Sequence, residues 1–247
     1  MNNQRIAAII AGAGYGRRMG KNKHKMLIEI EGLKVLEWTL RALKNADAID
    51  TYILVLRPED MAYVEEILCP AVFDPEDQVL IVPGGKERSD SVKAGLKALP
   101  EDTDYILVHD GARPFVSGTI IHRAIDRLLR GDVEGVIAAT PCKDSMKTAG
   151  IDGIIRQSPD RRDLYKPQTP QIFRRDILLE AYSQVLPGQA DLTDDAQIVG
   201  QVGGRVAVVP GEETNIKITT PEDLSLGQLI LKDRRELIRK NEKAGMV

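Results

Sequence analysis

The stretch Arg5–Lys25, RIAAIIAGAGYGRRMGKNKHK, decides how the rest of the chain is read. Ile6 to Ala11 is a continuous apolar run that predicts a buried strand. Gly12, Gly14 and Gly16 follow at every second position, then Arg17, Arg18, Met19 and Gly20, with Lys21, Lys23 and Lys25 close behind. A strand, a glycine loop and then cations is the order of a phosphate-binding site. Small residues let backbone N–H groups approach an anion, and the start of the next helix adds positive potential. The loop is not an ATPase P-loop, because Gly20-Lys21 is followed by Asn22 rather than Ser or Thr. It is not a dinucleotide fingerprint either, because the third glycine position falls on Arg17 or Met19. Arginines with a nearby lysine suit a triphosphate, whose charge must be neutralised while it reacts.

The length of 247 residues fits one large α/β domain or two small ones, and a hydrophobic content of 43% is enough for a substantial core. A formal net charge of −3 gives no case for nucleic-acid or membrane binding. Cys69 and Cys142 form neither a disulfide framework nor a Cys-x-x-Cys site, and three histidines without a Cys/His cluster argue against structural zinc. No apolar run approaches a membrane span and the first residues lack a signal-peptide pattern, so a cytoplasmic location is expected.

Outward from the loop, apolar strand and helical spacing alternate. Met26 to Ile30 reads as a short extended piece. Strands are expected at Thr51–Leu56, Gln78–Val82, Tyr105–His109 and Gly135–Thr140, and helices at Val35–Ala46, Glu59–Leu68, Asp90–Leu99 and Thr119–Leu129. Strands that are apolar throughout indicate a mostly parallel sheet covered on both faces. Between Pro141 and Pro170 the chain turns polar and turn-rich, with extended pieces near Ser145–Thr148 and Ile154–Gln157. With too few apolar residues for the main core, this segment reads as a projecting hairpin arm that packs on a second subunit. A helix is expected over Phe173–Leu186, a helix start at Thr193-Asp194-Asp195, a strand at Arg205–Val209, a further strand at Asn215–Ile218 and a last helix opening at Thr220-Pro221. The charged C-terminal end reads as a solvated helix face.

Ligands of a parallel sheet bind beyond the carboxyl ends of its strands. Four groups fall there: the Gly12–Lys25 loop, Gly84–Ser91, His109–Pro114 and Asn215-Ile216-Lys217. Asp110, a strand-end carboxylate beside a phosphate loop, is the expected Mg²⁺ ligand. Asp90 reads equally as a ligand and as an ordinary helix-start residue, and His109 reads chiefly as a packing or hydrogen-bonding residue. Neither cysteine has a histidine nearby in sequence, which disfavours thiol catalysis. The inventory is cations plus one acid, which is what phosphoryl and nucleotidyl transfer require.

Taken together, GAGYGRRMG with Lys25, then GGKERSDSV, HDGARP, KDSMK, QTPQ, TDD and NIKITTPEDL, resemble the 2-C-methyl-D-erythritol 4-phosphate cytidylyltransferases over about Ala7 to Leu229. The resemblance implies a single domain over residues 1–247 with a Rossmann-like nucleotidyltransferase fold: a mostly parallel twisted sheet, helices on both faces, and a projecting β-arm within 141–170. It implies CMP transfer from CTP to the 4-phosphate of methylerythritol with Mg²⁺ or another hard divalent cation as cofactor. Arg18 and Lys25 match the pair that grips the triphosphate, and Lys217 an active-site cation. Gly12, Ala13, Gly14, Gly16, Gly85, Ser91 and Asp110 match nucleotide-binding positions, and Asp110 also the metal ligand. Arg113 matches a cation at the acceptor. Ser145 and Arg161 match arm residues that reach the acceptor in the neighbouring subunit's site, which implies a homodimer. The implied partners are CTP and a small phosphorylated polyol, with neither nucleic acid nor membrane.

The chain departs from the family at His24-Lys25-Met26, where Pro-Lys-Gln is usual, which leaves Lys23 beside Lys25 as the catalytic lysine; spacing from Arg18 favours Lys25. Ser145 stands for a common threonine, Gly12 for a common alanine and Lys86 for a frequent acid. A ribitol-5-phosphate cytidylyltransferase shares most of the loop motifs, and Arg161 with KDSMK leans towards methylerythritol phosphate. A non-catalytic CTP-binding regulator would bind the nucleotide without releasing pyrophosphate.

Overall fold

The computed structural model describes residues 4–14, 25–185 and 194–243, with side chains through 236. The loop positions Gly16, Arg18 and Lys23 and the helix-start residue Thr193 lie outside the described residues.

The apolar run becomes β1 (Ile6–Ala11), buried along almost its whole length. Beyond the glycine loop a 3-10 turn, Lys25–Leu27, leads into the small hairpin β2 (Glu29–Ile30) and β3 (Leu33–Lys34). Then come α1 (Val35–Lys44), β4 (Thr51–Leu56), α2 (Pro58–Tyr63), a π-helical turn at Val64–Leu68 and α3 (Cys69–Val72). β5 (Gln78–Pro83), α4 (Arg88–Lys97), β6 (Tyr105–Asp110), α5 (Gly118–Leu128) and β7 (Gly135–Pro141) complete the alternation. The arm carries β8 (Thr148–Ala149) and β9 (Ile155–Gln157). The chain returns through β10 (Tyr165–Arg174), α6 (Arg175–Gln184), α7 (Asp195–Gln201), β11 (Val206–Pro210) and α8 (Pro221–Lys243).

The main sheet has seven strands in the order β11-β7-β10-β6-β1-β4-β5. Every pair is parallel except the two that β10 makes. Alternate residues of β1 enter opposite cores. Ile6, Ala8 and Ile10 pack with apolar residues of α1, α5 and α8, whereas Ala7 and Ile9 pack with those of α4, α6 and α7. Two covered faces explain why the strands read as unbroken apolar runs. α5 shows the matching helical logic: Ser117 Oγ accepts from the Ile120 amide at 3.2 Å, and Ile120, Ile121, Ala124, Ile125 and Leu128 form its buried stripe.

Two expectations are corrected. Residues from Tyr165 on belong to β10, inserted between β6 and β7, so the segment outside the main sheet begins after Pro141 and ends before Tyr165, and the following helix starts at Arg175, not Phe173. The sequence hid β10 because it carries Pro167, Pro170 and three buried polar residues, Gln168, Thr169 and Gln171. The prolines fall at the register shift between Pro167 and Gln171, where a ladder tolerates a missing N–H. The buried polar groups are bonded: Gln168 Nε2 donates to the Glu212 carbonyl at 2.8 Å, and Gln171 Oε1 accepts from the Ala196 amide at 3.2 Å. Asn215–Ile218 is not a strand; it is an irregular segment tied to the turn after β6 by the Ile218 amide, which donates to the Ala112 carbonyl at 2.8 Å.

Candidate active site

The chain leaves β1 and runs to β4 on one side, and later places β6 on the other, so the strand order switches at β1. A crevice at that switch, beyond the carboxyl ends of the strands, is where such sheets bind ligands. The register sets Ala11 of β1 opposite Asp110 of β6. A cleft opens there. Of the expected residues Ala13, Gly14, Lys25, Gly85, Ser91, Asp110 and Lys217 line it, joined by Lys86, Glu87 and Arg88.

Close backbone approach builds the glycine wall. The Gly12 amide donates to the Val55 carbonyl at 2.8 Å, and a Cβ at Gly12 would lie 2.8 Å from Leu56 Cδ2. Gly12 therefore pins the loop to β4 without itself lining the cleft. A Cβ at Gly84 would lie 2.3 Å from the Ala13 Cβ, so the two loops touch only because that atom is missing. Asp90 resolves as a helix-start residue: its side chain accepts from the Glu87 amide at 3.2 Å in a reciprocal capping box.

Asp110, at the end of β6, is 6% exposed and faces three cations. Lys217 Nζ is 2.9 Å from its Oδ2, Arg113 Nε 3.4 Å from the same oxygen, and Arg88 Nε 3.4 Å from Oδ1. Burial alone would raise the pKa of the carboxyl, but the charges of Lys217, Arg88 and Arg113 outweigh it and hold the group well below the usual carboxylate range. Asp110 is thus a carboxylate at every physiological pH. Arg113 does not line the cleft; its Nη1 donates to the Asn215 carbonyl at 2.8 Å, which fastens the Lys217 segment behind Asp110.

The donor set fits Mg²⁺. That ion commonly takes one or two carboxylates and fills its shell with water and substrate phosphates, rather than sitting in an all-protein cage. Asp110 supplies one carboxylate to the cleft, and the described residues contain no cluster of three His, Cys, Asp or Glu that would form a cage. Asp195 offers no second ligand, because both of its oxygens are engaged by Arg88.

His109 is fully buried behind Asp110. His109 Nε2 faces the Arg113 carbonyl, which can only accept, so Nδ1 of the neutral ring accepts from the Thr169 hydroxyl at 3.1 Å, and that hydroxyl accepts in turn from the Asp110 amide at 3.0 Å. His109 Nε2 then carries the ring proton and donates it to the Arg113 carbonyl at 3.2 Å. Burial pushes His109 down to about 4, only partly offset by the bond to Arg113. A histidine that is neutral when folded favours folding above its ordinary pKa, and that stability is lost as the pH falls towards about 4. The expected loss is about 3 kcal/mol between pH 7 and pH 4 for the ligand-free protein in chelator. Urea titrations followed by Trp38 fluorescence check it: the fall between pH 6.5 and 4.5 flattens in His109→Gln, and an equal slope in both proteins contradicts this reading.

Ser145 and Arg161 lie on the exposed arm and are not among the residues lining this chain's own cleft. Arg161 Nη1 donates to the Lys143 carbonyl at 3.2 Å. Sequence reasoning missed Arg88, Asp195 and Tyr182. Arg88 had a signal, its place in the Gly84–Ser91 group, but its partners are distant in sequence.

Cations gathered around one carboxylate beyond the switch strand are the arrangement of a nucleotidyltransferase. The model of the family 2-C-methyl-D-erythritol 4-phosphate cytidylyltransferase matches residues 6–233. A curated cytidylyltransferase of that name from Alkaliphilus oremlandii is 37% identical over 95% of this chain and 98% of its own. One from Syntrophus aciditrophicus is 40% identical over 92% and 96%. The crystal structure of 4-diphosphocytidyl-2C-methyl-D-erythritol synthase from Anaerococcus prevotii superposes with a TM-score of 0.82 at 35% identity, covering 93% of this chain and 99% of that one. The chain belongs to the 2-C-methyl-D-erythritol 4-phosphate cytidylyltransferase family.

Proposed function

We propose that this protein transfers CMP from CTP to 2-C-methyl-D-erythritol 4-phosphate and releases pyrophosphate. The observation that carries the reading is Asp110, which lines the glycine-walled cleft with Lys217 and Arg88 beside it and Arg113 behind. Backbone groups of Ala13, Gly14 and Gly85, with Ser91, hold the base and ribose, and Gly12 fixes their loop. Lys25 and Lys217 meet the phosphates. Arg18 and Gly16 are assigned to the triphosphate by the family motif alone.

An oxygen of the acceptor's phosphate forms a bond to the α-phosphorus of CTP as the bond from that phosphorus to the β-phosphate oxygen breaks. Pyrophosphate leaves with the electron pair of the broken bond. A phosphate monoester is already ionised near neutral pH, so no side chain has to remove a proton. His109 is unsuited to the task in any case, since both ring nitrogens are committed. Catalysis rests on placement and on cations aimed at the developing charge. Mg²⁺ held by Asp110 would supply neutralisation of phosphate charge.

The acceptor is assigned to Arg113 and, from a second copy of the chain, to Ser145 and Arg161. The arm bears Met146, Ile151, Ile154 and Ile155 as exposed large apolar side chains. Apolar surface of that kind is suited to burial against a partner and supports a homodimer. A cytoplasmic location is part of the reading; Cys69 and Cys142 are free thiols, as a reducing compartment permits. Among the described residues no helix is long and apolar enough to cross a membrane.

The test is the product. With CTP, Mg²⁺ and methylerythritol 4-phosphate the protein should yield one CDP-linked alcohol, identified by its mass, for each pyrophosphate released. CTP binding without pyrophosphate would overturn the reading.

A further inference from the structure

Arg88 is the first residue of α4 and forms part of the cleft wall, yet its guanidinium is held from the other side. Its Nη1 and Nη2 donate to Asp195 Oδ1 and Oδ2 at 3.0 and 2.7 Å. The hydroxyl of Tyr182, on α6, donates to the same Asp195 Oδ1. Asp195, at the start of α7, is wholly buried, and Tyr182 is 4% exposed. The remaining recorded contact of Arg88, Nε to Asp110, is long at 3.4 Å.

Burying an ion pair gains little stability over apolar packing of the same volume, because both charges lose their water. Such a pair does fix geometry, since the planar guanidinium fork binds a carboxylate in one orientation. The tyrosine proton fixes the carboxylate in turn. We propose that Asp195 and Tyr182 are positioning residues: they hold Arg88 at the cleft wall, facing the nucleotide phosphates, and keep it from closing onto Asp110. The proposal rests on the cytidylyltransfer reading. Without the clamp, Arg88 swings towards the nearest carboxylate, Asp110, and occupies the group needed for the metal and the phosphates.

The experiment compares kcat, KM for CTP and thermal midpoint for the wild type, Tyr182→Phe, Asp195→Asn, Arg88→Met and the pairs with Arg88→Met. A wild type active with CTP and methylerythritol 4-phosphate establishes the underlying reading; its inactivity would defeat that reading rather than the clamp. Asp195→Asn is expected to lower kcat about 30-fold and Tyr182→Phe about fivefold, as misplacement of a charged group predicts. KM for CTP should change less than kcat, because the displaced charge matters most where charge develops. Each loss should shrink to within about twofold in the Arg88→Met background, because the clamp then has nothing to place. A purely structural role would lower the thermal midpoint equally in both backgrounds and leave the kcat loss undiminished in Arg88→Met; that result overturns the proposal. So does a Tyr182→Phe and Asp195→Asn pair that each keep wild-type kcat and KM. If Asp195→Asn does not fold, Tyr182→Phe alone decides through the same cycle.

Discussion

Asp110→Asn is expected to lower kcat about 10³-fold at saturating substrate, the scale of losing a central electrostatic group in a preorganised site. The substitution keeps the size of the side chain and one oxygen acceptor but removes the charge. Two consequences follow from the geometry. The cleft loses the carboxylate that fits Mg²⁺, and Lys217 and Arg113 lose their shared counter-charge at 2.9 and 3.4 Å. Removing one partner of a buried ionic cluster leaves uncompensated charge, so the ligand-free variant should also be less stable by about 3–5 kcal/mol. The two effects separate experimentally. Far-UV circular dichroism and Trp38 fluorescence establish that the variant is folded at the assay temperature, and pyrophosphate release then reports the chemistry. A folded Asp110→Asn within tenfold of wild-type kcat would remove Asp110 from the mechanism.

The second large effect is expected at Lys25. Lys25→Met keeps the aliphatic stem and deletes the ammonium, and kcat should fall about 10²- to 10³-fold, with a raised KM for CTP. Lys25 is 9% exposed, lines the cleft and opens the Lys25–Leu27 turn. The family's usual proline is absent before it, and the structure shows what takes over its work. Met26 is 2% exposed and belongs to the core cluster that includes Leu36 and Ala112. Burying that thioether fixes the turn from behind, so packing holds the lysine at the cleft. Lys23→Ala, by contrast, should stay within about threefold of wild type. The reverse pattern, with Lys23 essential and Lys25 dispensable, would transfer the role to Lys23.

Much of the fold was legible because its strands are buried on both faces. β4 was bounded correctly at Thr51–Leu56, since nothing polar interrupts it. β10 was illegible for the opposite reason: ahead of Ile172 and Phe173 its buried run is Gln168, Thr169, Pro170 and Gln171, and the polar groups are bonded to Glu212, Asn215 and Ala196 far along the chain. The site followed the same division. Asp110 ends a strand, Gly85 lies in a glycine loop, and Lys25, Ser91 and Lys217 belong to short motifs legible in sequence; the structure brings all five to one cleft. Tyr182 sits in a helix of ordinary pattern, and Asp195 was legible only as part of a helix start and of the TDD motif; the folded contact with Arg88 shows what both hold. Asp90, ambiguous in sequence, resolves through its capping bond to Glu87.

The central claim, cytidylyl transfer to methylerythritol phosphate, is tested most directly by offering 2-C-methyl-D-erythritol 4-phosphate and D-ribitol 5-phosphate in parallel, with CTP and Mg²⁺, and comparing kcat/KM from pyrophosphate release. Rapid turnover is expected with the first and at least about 100-fold discrimination against the second, the scale available to a site that hydrogen-bonds its substrate. Equal or greater kcat/KM with ribitol 5-phosphate would contradict it.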